Sequence, residues 1–378
     1  MKISYTSNSF LLFIIFTALL CIYFAIQKNN TSSFLSISST VENTTNKYSF
    51  ILGPKFDKLP NQDDAIQLFQ LWKKDHGRVY SDLEEMAKKF DIFITNLKYI
   101  VETNAKRESP HSAVLGLTNF ADWSFKEFNE TYLNMDNDDT MDIVNNGDIV
   151  DELTCSNPPS SLDWRSKGVV SSIKDQGACG SCWAFSVAAA IEGIVAIVTG
   201  KLIDLSPQEL VDCDMGSSGC SGGVRSSALR WVIENNGLAT YSNYPYTAVK
   251  GACRASKIPN SASSSSNAYL QLEKTERGLL CGVAKQPITI GIYATQDFQH
   301  YTHEIYEGPN CPVDSTQTTH AMLIVGYDSV GGQDYWIVKN TWGTKWGLAG
   351  YVYIKRNTGK KYGVCAINAL ALNPVKNK

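Results

Sequence analysis

Residues 176–185 read Gln-Gly-Ala-Cys-Gly-Ser-Cys-Trp-Ala-Phe, which puts Cys182 where a glycine-bearing loop gives way to an apolar run. A cysteine attacks carbon as thiolate, and an ordinary thiol, with a pKa of about 8.5, is mostly protonated at neutral pH. The run after Cys182 is rich in Ala, Ile and Val at helical spacing and ends at Gly200, a C-terminal cap. Cys182 therefore sits in the first turn of a helix, where unpaired N–H groups and the positive end of the macrodipole favour an anion. Of ten cysteines, Cys21 falls in an N-terminal apolar segment; the remaining nine are an odd number, so one thiol at least stays unpaired.

A thiolate needs a base beside it. His76 and His111 lie far upstream, and His300 and His303 read as a loop. His320 opens the run Ala-Met-Leu-Ile-Val-Gly-Tyr, a core strand, and is the candidate general base. Asn340, in Lys-Asn-Thr-Trp-Gly, offers an amide oxygen to fix the imidazole tautomer, with Trp342 as aromatic cover. Gln176 and the Cys182 N–H are candidate oxyanion donors. A histidine beside a strand, an asparagine in a turn and a loop glutamine are each ordinary alone; together they describe a thiol hydrolase.

The elements around these residues fall into three stretches. Residues 63–106 carry apolar residues at three- and four-residue steps (Ile66, Phe69, Trp72; Met86, Phe90, Phe93, Leu97, Ile100), which predicts two amphipathic helices. Residues 134–153 turn acidic and polar, an exposed linker. Phe10–Ile26 is an apolar run behind Lys2: residues 1–27 form a signal peptide or, if uncleaved, a signal anchor that would be the chain's contact with membrane. The cysteine density suits an oxidising compartment, so the secretory pathway is expected, with vacuole, lysosome or exterior as destination. Asn29, Asn30, Asn43 and Asn129 are glycosylation candidates, all upstream of the 154–378 body. The net charge of −3, without blocks of like charge, gives no nucleic-acid footprint. No phosphate loop or zinc pattern is present, so no metal and no cofactor are expected.

Four blocks, 162–185, 205–223, 317–327 and 335–351, together resemble the papain-like cysteine peptidases; Val211-Asp-Cys213, Gly219-Cys-Ser-Gly-Gly223, His320-Ala and Lys339-Asn-Thr-Trp-Gly343 stand in the family's order. The separation of 138 positions from Cys182 to His320 suits that family's separation of about 130–150. The resemblance implies an α+β, two-lobed papain-like fold, a helical lobe carrying Cys182 and a β-barrel-like lobe carrying His320 and Asn340. It implies bridges Cys179–Cys220, Cys213–Cys253 and Cys311–Cys365; Cys155 and Cys281 are left over, bridged to each other or free. It implies a specificity pocket lined by Gly222, Gly223, Val224, Arg225, Gly291, Ala321 and Leu370, beside Trp342. Val224-Arg225-Ser226 departs from the usual aromatic wall. Arg225 either turns into that pocket to meet a polar or acidic P2 side chain or, as expected of a long cationic residue, snorkels to solvent. Thr319 stands before His320 where Asn or Asp is usual, and Thr302-His303-Glu304 replaces a glycine-rich turn.

The spacing Glu85, Lys89, Phe93, Asn96, Ile100, Asn104 and the run Gly116-Leu-Thr-Asn-Phe-Ala-Asp122 resemble the family's prosegment motifs. They imply a zymogen: a helical inhibitor over about 63–133 packs on the enzyme, the linker 134–153 threads the cleft, and acid weakens the contact by protonating carboxylates. Partners expected are peptide or protein substrates and the chain's own prosegment, acting on a monomer. The stretches 68–78, 109–112 and 155–165 resemble a plant, P34-like subgroup in which a member has lost its nucleophile, so a silent binding protein is the alternative; Cys182 favours catalysis.

Overall fold

The structure, a computed structural model, describes residues 47–133, 155–255 and 268–376. The apolar segment 1–27, the sequons Asn29, Asn30 and Asn43, and the linker 134–153 lie outside the described residues.

Two helices begin the prosegment, α1 (Gln62–Asp75) and α2 (Leu83–Asn104). Each starts where a short polar side chain accepts from the third following N–H, Asn61 from Asp64 and Asp82 from Glu85, and each carries acidic residues in its first turn to suit the dipole. Their facing stripes bury Phe69, Trp72, Phe93, Leu97 and Ile100, while Ile66 and Phe90 are half-buried. The inhibitor extends upstream of the expected start: Tyr48, Leu52 and Phe56 are buried as well, and the Tyr48 hydroxyl donates to Asp75 at 2.8 Å. The single helical turn Ser49–Leu52 is too short to carry a periodic signal.

Behind α2 runs the short strand β1 (Val114–Leu115) and then α3 (Phe125–Tyr132), begun by a reciprocal Ser124–Glu127 capping box. The buried amides of the first prosegment motif now have a physical reason. Asn96 Nδ2 donates to the carbonyls of Ala121 and Trp123 (2.9 and 2.8 Å), and Asn104 donates to Leu115 O and accepts from Leu115 N, both at 2.9 Å. They satisfy backbone that no helix or sheet pairs. Asn129, the one sequon within the described residues, is exposed on α3.

The peptidase body begins with β2 (Leu162–Asp163) and a helical lobe of α4 (Cys182–Thr199), α5 (Pro207–Cys213) and α6 (Arg225–Glu234). Gly200 ends α4 in a left-handed conformation, φ 71°, as expected. Helix α4 is apolar nearly all round because it is covered on both sides, by α5 and α6 and by the sheet of the second lobe. That lobe holds β3 (Ala268–Gln271), α7 (Glu276–Lys285), β4 (Ile288–Ile292), α8 (Gln296–Gln299), β5 (Tyr301–His303), β6 (Ile305–Tyr306), β7 (His320–Val330), β8 (Gln333–Lys339), β9 (Tyr351–Lys355) and β10 (Ala371–Val375). Its sheet runs β3-β10-β4-β7-β8-β9-β6, antiparallel apart from β6–β9, and β2 pairs with β7. Trp336, Trp342, Trp346, Phe298, Ile290 and Val338 fill its core, and Trp183, Val187, Ile191, Leu210 and Leu229 fill that of the helical lobe.

Strand β1 pairs antiparallel with β5, so the prosegment is sewn to the barrel lobe by a two-stranded sheet. Gly116 N donates to His300 O and Thr302 Oγ1 to Val114 O, both at 2.8 Å. A Cβ on Gly116 would stand 2.8 Å from Thr302 Cγ2, so this approach requires glycine. His300 and His303 are not loop residues: His300 ends α8 and is fully buried, and His303 lies on β5 opposite Val114. The pairing with β1, a partner distant in sequence, creates that strand. Glu304 follows with φ 65°, the backbone that a glycine takes without strain.

Candidate active site

Cys182 is the first residue of α4; its N-cap, Ser181, makes no side-chain cap, so the helix's first N–H groups are left to other partners. The loop before it is fixed on one flank: Cys179 is bridged to Cys220, Gly180 N donates to Cys220 O at 2.8 Å, and Trp183 Nε1 donates to Gly219 O at 3.2 Å. Gly222 has φ 120°, and a Cβ on Gly223 would stand 2.4 Å from the Trp183 ring, so the two glycines let this segment close on α4. Cys182 is fully buried, packs on Ala321, and is the free cysteine among the described residues.

From the barrel lobe, β7 brings His320 at its first residue, paired in register with Ile292, and the end of β8 brings Asn340. His320 Nε2 donates to Asn340 Oδ1 at 2.8 Å, and Thr341 N donates to the same oxygen at 2.8 Å. That second donor fixes the amide orientation, and the orientation fixes the imidazole tautomer, leaving Nδ1 as the basic nitrogen. Trp342 stacks on the imidazole with ring centroids 4.4 Å apart and keeps water from the pair. Gln176 stands across from them. Its Oε1 accepts from Thr341 Oγ1 at 2.5 Å, and its Nε2 donates to Cys179 O at 2.9 Å. One Nε2 proton is thereby left to point into the site.

The prosegment is already there. Gln176 Nε2 lies 3.4 Å from the carbonyl of Tyr132, the last residue of α3, and Phe120 and Phe128 set their ring edges against Trp342 at 5.5 and 5.1 Å. Burial pushes the Cys182 thiol up to about 11, opposed by backbone donors at Ala321 and Trp183 and by the charge of Arg225. Burial pushes the His320 imidazole down to about 4, opposed by Asn340 and the Tyr132 carbonyl. With α3 docked, therefore, the thiol and imidazole are both neutral at pH 7.

Of the pocket residues, Gly222, Gly223, Gly291, Ala321, Trp342 and Leu370 are buried and Val224 is half-buried. Arg225 differs from expectation. It is fully buried, and its Nη2 donates to Leu370 O at 3.0 Å. As the first residue of α6 it projects its side chain back toward the helix N-terminus, into the groove between the lobes, so no outward path is open for snorkelling. The structure joins Cys179–Cys220, Cys213–Cys253 and Cys311–Cys365, and also Cys155–Cys281, which ties the start of the body to α7. Several participants were given no role by the sequence. Thr341 orients Gln176, and the Tyr132 carbonyl is backbone. Behind α4, a buried cluster joins Lys339 Nζ to Ser171 (2.8 Å) and Ser171 to Glu192, anchoring the strand end that carries Asn340 to α4.

Residues 158–375 match the model of the papain family cysteine protease, and residues 69–128 that of the cathepsin propeptide inhibitor domain (I29). The chain is 43% identical over 354 residues to P34 probable thiol protease of Glycine max, covering 92% of each, and 41% identical over 336 residues to papain of Carica papaya, covering 86% of this chain and 92% of that one. Among solved structures it is similar to a recombinant stem bromelain precursor, with TM-score 0.74 and 36% identity over 83% of this chain and 99% of that one. Family models that match the peptidase body and the propeptide, a prosegment docked on Gln176 and Trp342, and likeness over nearly the whole length lead to one conclusion: this chain belongs to the papain family of cysteine proteases and is built as a zymogen.

Proposed function

We propose that Cys182 is the nucleophile, His320 the general acid–base, Asn340 the residue that positions the imidazole, and Gln176 with the Cys182 N–H the oxyanion hole. His320 Nδ1 takes the thiol proton and the sulfur adds to the peptide carbonyl. The oxygen, now negative, moves onto Gln176 Nε2–H and the helix N–H. The imidazolium gives its proton to the leaving amine as the C–N bond breaks. Water, deprotonated by His320, then adds to the thioester and releases the acid and the thiol. The observation that carries this reading is the Tyr132 carbonyl, which rests on the Gln176 donor that a substrate oxyanion would use.

The prosegment is the intramolecular inhibitor of the same site, and self-cleavage near residues 150–158, beyond the linker's start at 134, releases it. The enzyme acts as a monomer after transit of the secretory pathway, in vacuole, lysosome or exterior. The test is hydrolysis of fluorogenic peptides after acid maturation. Cys182→Ala should abolish turnover, and Gln176→Ala should lower kcat by about 10²–10³. Full turnover by Cys182→Ala would overturn the assignment, and no turnover by folded, matured wild type would favour a binding protein.

A further inference from the structure

The two donors assigned to the oxyanion hole stand at opposite ends of one loop, Gln176 at its start and the N–H of Cys182 at its end, with Gly177 in a left-handed conformation (φ 57°) between them. A side chain from outside the loop touches both ends. The Tyr246 hydroxyl donates to the carbonyl of Gln176 at 2.7 Å and lies 2.6 Å from the Oγ of Ser181, the residue immediately before Cys182. A carbonyl can only accept, so the phenolic proton is committed to Gln176 and Ser181 supplies the proton of the second bond; its other acceptor, Cys179 O, is 3.5 Å away. The run is then Ser181 O–H to Tyr246 O–H to Gln176 C=O, in which each bond polarises the next. Gln176 and Ser181 are fully buried, and burial also holds the Tyr246 phenol far above its ordinary range, so it stays a donor at the pH of peptidase chemistry.

Tyr246 is itself held from two sides. Its ring meets Phe185, one turn into α4, edge to face with centroids 4.6 Å apart. Its loop is pinned to α5 and the cap of that helix: Ser206 Oγ donates to Tyr244 O at 2.6 Å, and Thr247 N donates to Gln208 Oε1 and Gln208 Nε2 to Val249 O, both at 2.8 Å. The other restraints on the oxyanion loop act elsewhere. Gln176 N donates to Thr341 O at 2.8 Å and its Oε1 accepts from the Thr341 hydroxyl, which places the glutamine against the His320–Asn340 pair, while the Cys179–Cys220 bridge holds the middle of the loop. Neither sets Gln176 directly against the start of α4. Two donors that serve one oxygen must keep their relative position to within about 0.5 Å, and a phenol bonded to both ends of the loop supplies that restraint.

We propose that Tyr246 is a positioning residue for the oxyanion hole, its hydroxyl holding Gln176 and the start of α4 at the separation that two donors to one oxygen require. The inference rests on the roles proposed above for Cys182 and Gln176. It is tested with matured enzyme whose active sites are titrated by a thiol-specific epoxide, comparing wild type with Tyr246→Phe, which removes one oxygen and keeps the ring on Phe185. For a fluorogenic peptide kcat should fall about tenfold with KM changed by less than about twofold. Alkylation of Cys182 by iodoacetamide, a displacement at saturated carbon that develops no oxyanion, should keep its rate to within about twofold. In a Gln176→Ala background the same substitution should cost about twofold or less in kcat, because the donor it positions is already gone. Ser181→Ala removes the other end of the run; the same split between turnover and alkylation is expected, and this variant decides the matter if Tyr246→Phe does not fold. Wild-type kcat in the folded variant, an equal loss of turnover and alkylation, or an undiminished loss on top of Gln176→Ala overturns the inference and leaves the peptidase standing. Absence of both epoxide labelling and turnover in matured wild type brings down the Cys182 reading, and this inference with it.

Discussion

The peptidase body and the prosegment are held by different kinds of contact. The body carries four disulfides and a continuous strand ladder, and its two lobes share α4 as a common core element. The prosegment carries no disulfide among its described residues. It is docked by a two-residue strand pairing, aromatic edges on Trp342, and polar contacts such as Thr118 Oγ1 to Gln299 O (3.1 Å) and Lys345 Nζ to Asp75 O (2.6 Å). The four histidines other than His320 are all near this seam: His76 is influenced by Lys345, His111 lies 3.8 Å from Glu304, and His300 and His303 flank the β1–β5 pairing. One region is fixed covalently; the other is held by a short strand pairing, ring contacts and hydrogen bonds. Such a molecule can release its inhibitor without loosening its catalytic frame.

The largest effect should come from attacking the covalent side. Removing the Cys155–Cys281 bridge with a double serine variant should cost about 2–4 kcal/mol and lower the thermal midpoint of the matured body, while leaving the pH of prosegment release unchanged. A change in release pH of the same relative size would erase the contrast between the two regions.

Next in size is Gly116→Val. The added side chain meets Thr302 where a Cβ alone is already at 2.8 Å, and overpacking of this kind costs about 1–3 kcal/mol. The expected outcome is a zymogen whose Cys182 is labelled by epoxide at neutral pH up to about a hundredfold faster, with the thermal midpoint of the matured body unaltered. Asn96→Leu should follow, at about 1–3 kcal/mol of prosegment stability, because the Ala121 carbonyl loses its donor and the Trp123 carbonyl keeps only Gln299 Nε2, at 2.9 Å. Hydrogen exchange confined to residues 83–123 would read it.

The smallest effect concerns acid. Burial lowers His300 to about 3, and burial followed by Lys345 and Arg78 lowers His76 to about 4, with Asp75 opposing. A base whose pKa is depressed on docking binds fewer protons when docked. Its contribution is complete above its free value near 6.5 and is lost as pH falls from there toward 4 and 3. Release should therefore set in below about pH 6.5, and His76→Phe or His300→Leu should move its midpoint acidward by about half to one pH unit. Loss of epoxide protection against pH measures it. The carboxylates do not share one sign. Asp122, raised chiefly by burial, favours the folded inhibitor when protonated; Asp82 and Glu85, held down chiefly by backbone hydrogen bonds at the start of α2, favour it when ionised.

How much was legible in the sequence follows the same division. The places of the body's candidate residues were readable because they are anchored to strong local signals: Cys182 to an apolar helix start, and His320 and Asn340 to the ends of core strands. The amphipathic stripes of α1 and α2 gave the inhibitor helices for the same reason. What escaped depends on partners far away in sequence. His303 becomes a strand residue by pairing with Val114, and His300 is buried beneath the same contact. Tyr48, Leu52 and Phe56 pack without any periodic pattern, and the Tyr132 carbonyl is a backbone atom with no residue signature. Arg225 was misjudged because its exposure follows from the direction of a helix N-terminus facing a second lobe, which composition does not encode.

The account turns on Cys182 being a competent nucleophile covered by α3. The most direct measurement is mass-spectrometric localisation of a thiol-specific epoxide on the full chain at pH 7 and pH 4. The account predicts no modification at pH 7, and stoichiometric modification of Cys182 alone at pH 4 together with the onset of peptide hydrolysis. Equal modification of Cys182 at both pH values, or none after the prosegment has been removed, would contradict it.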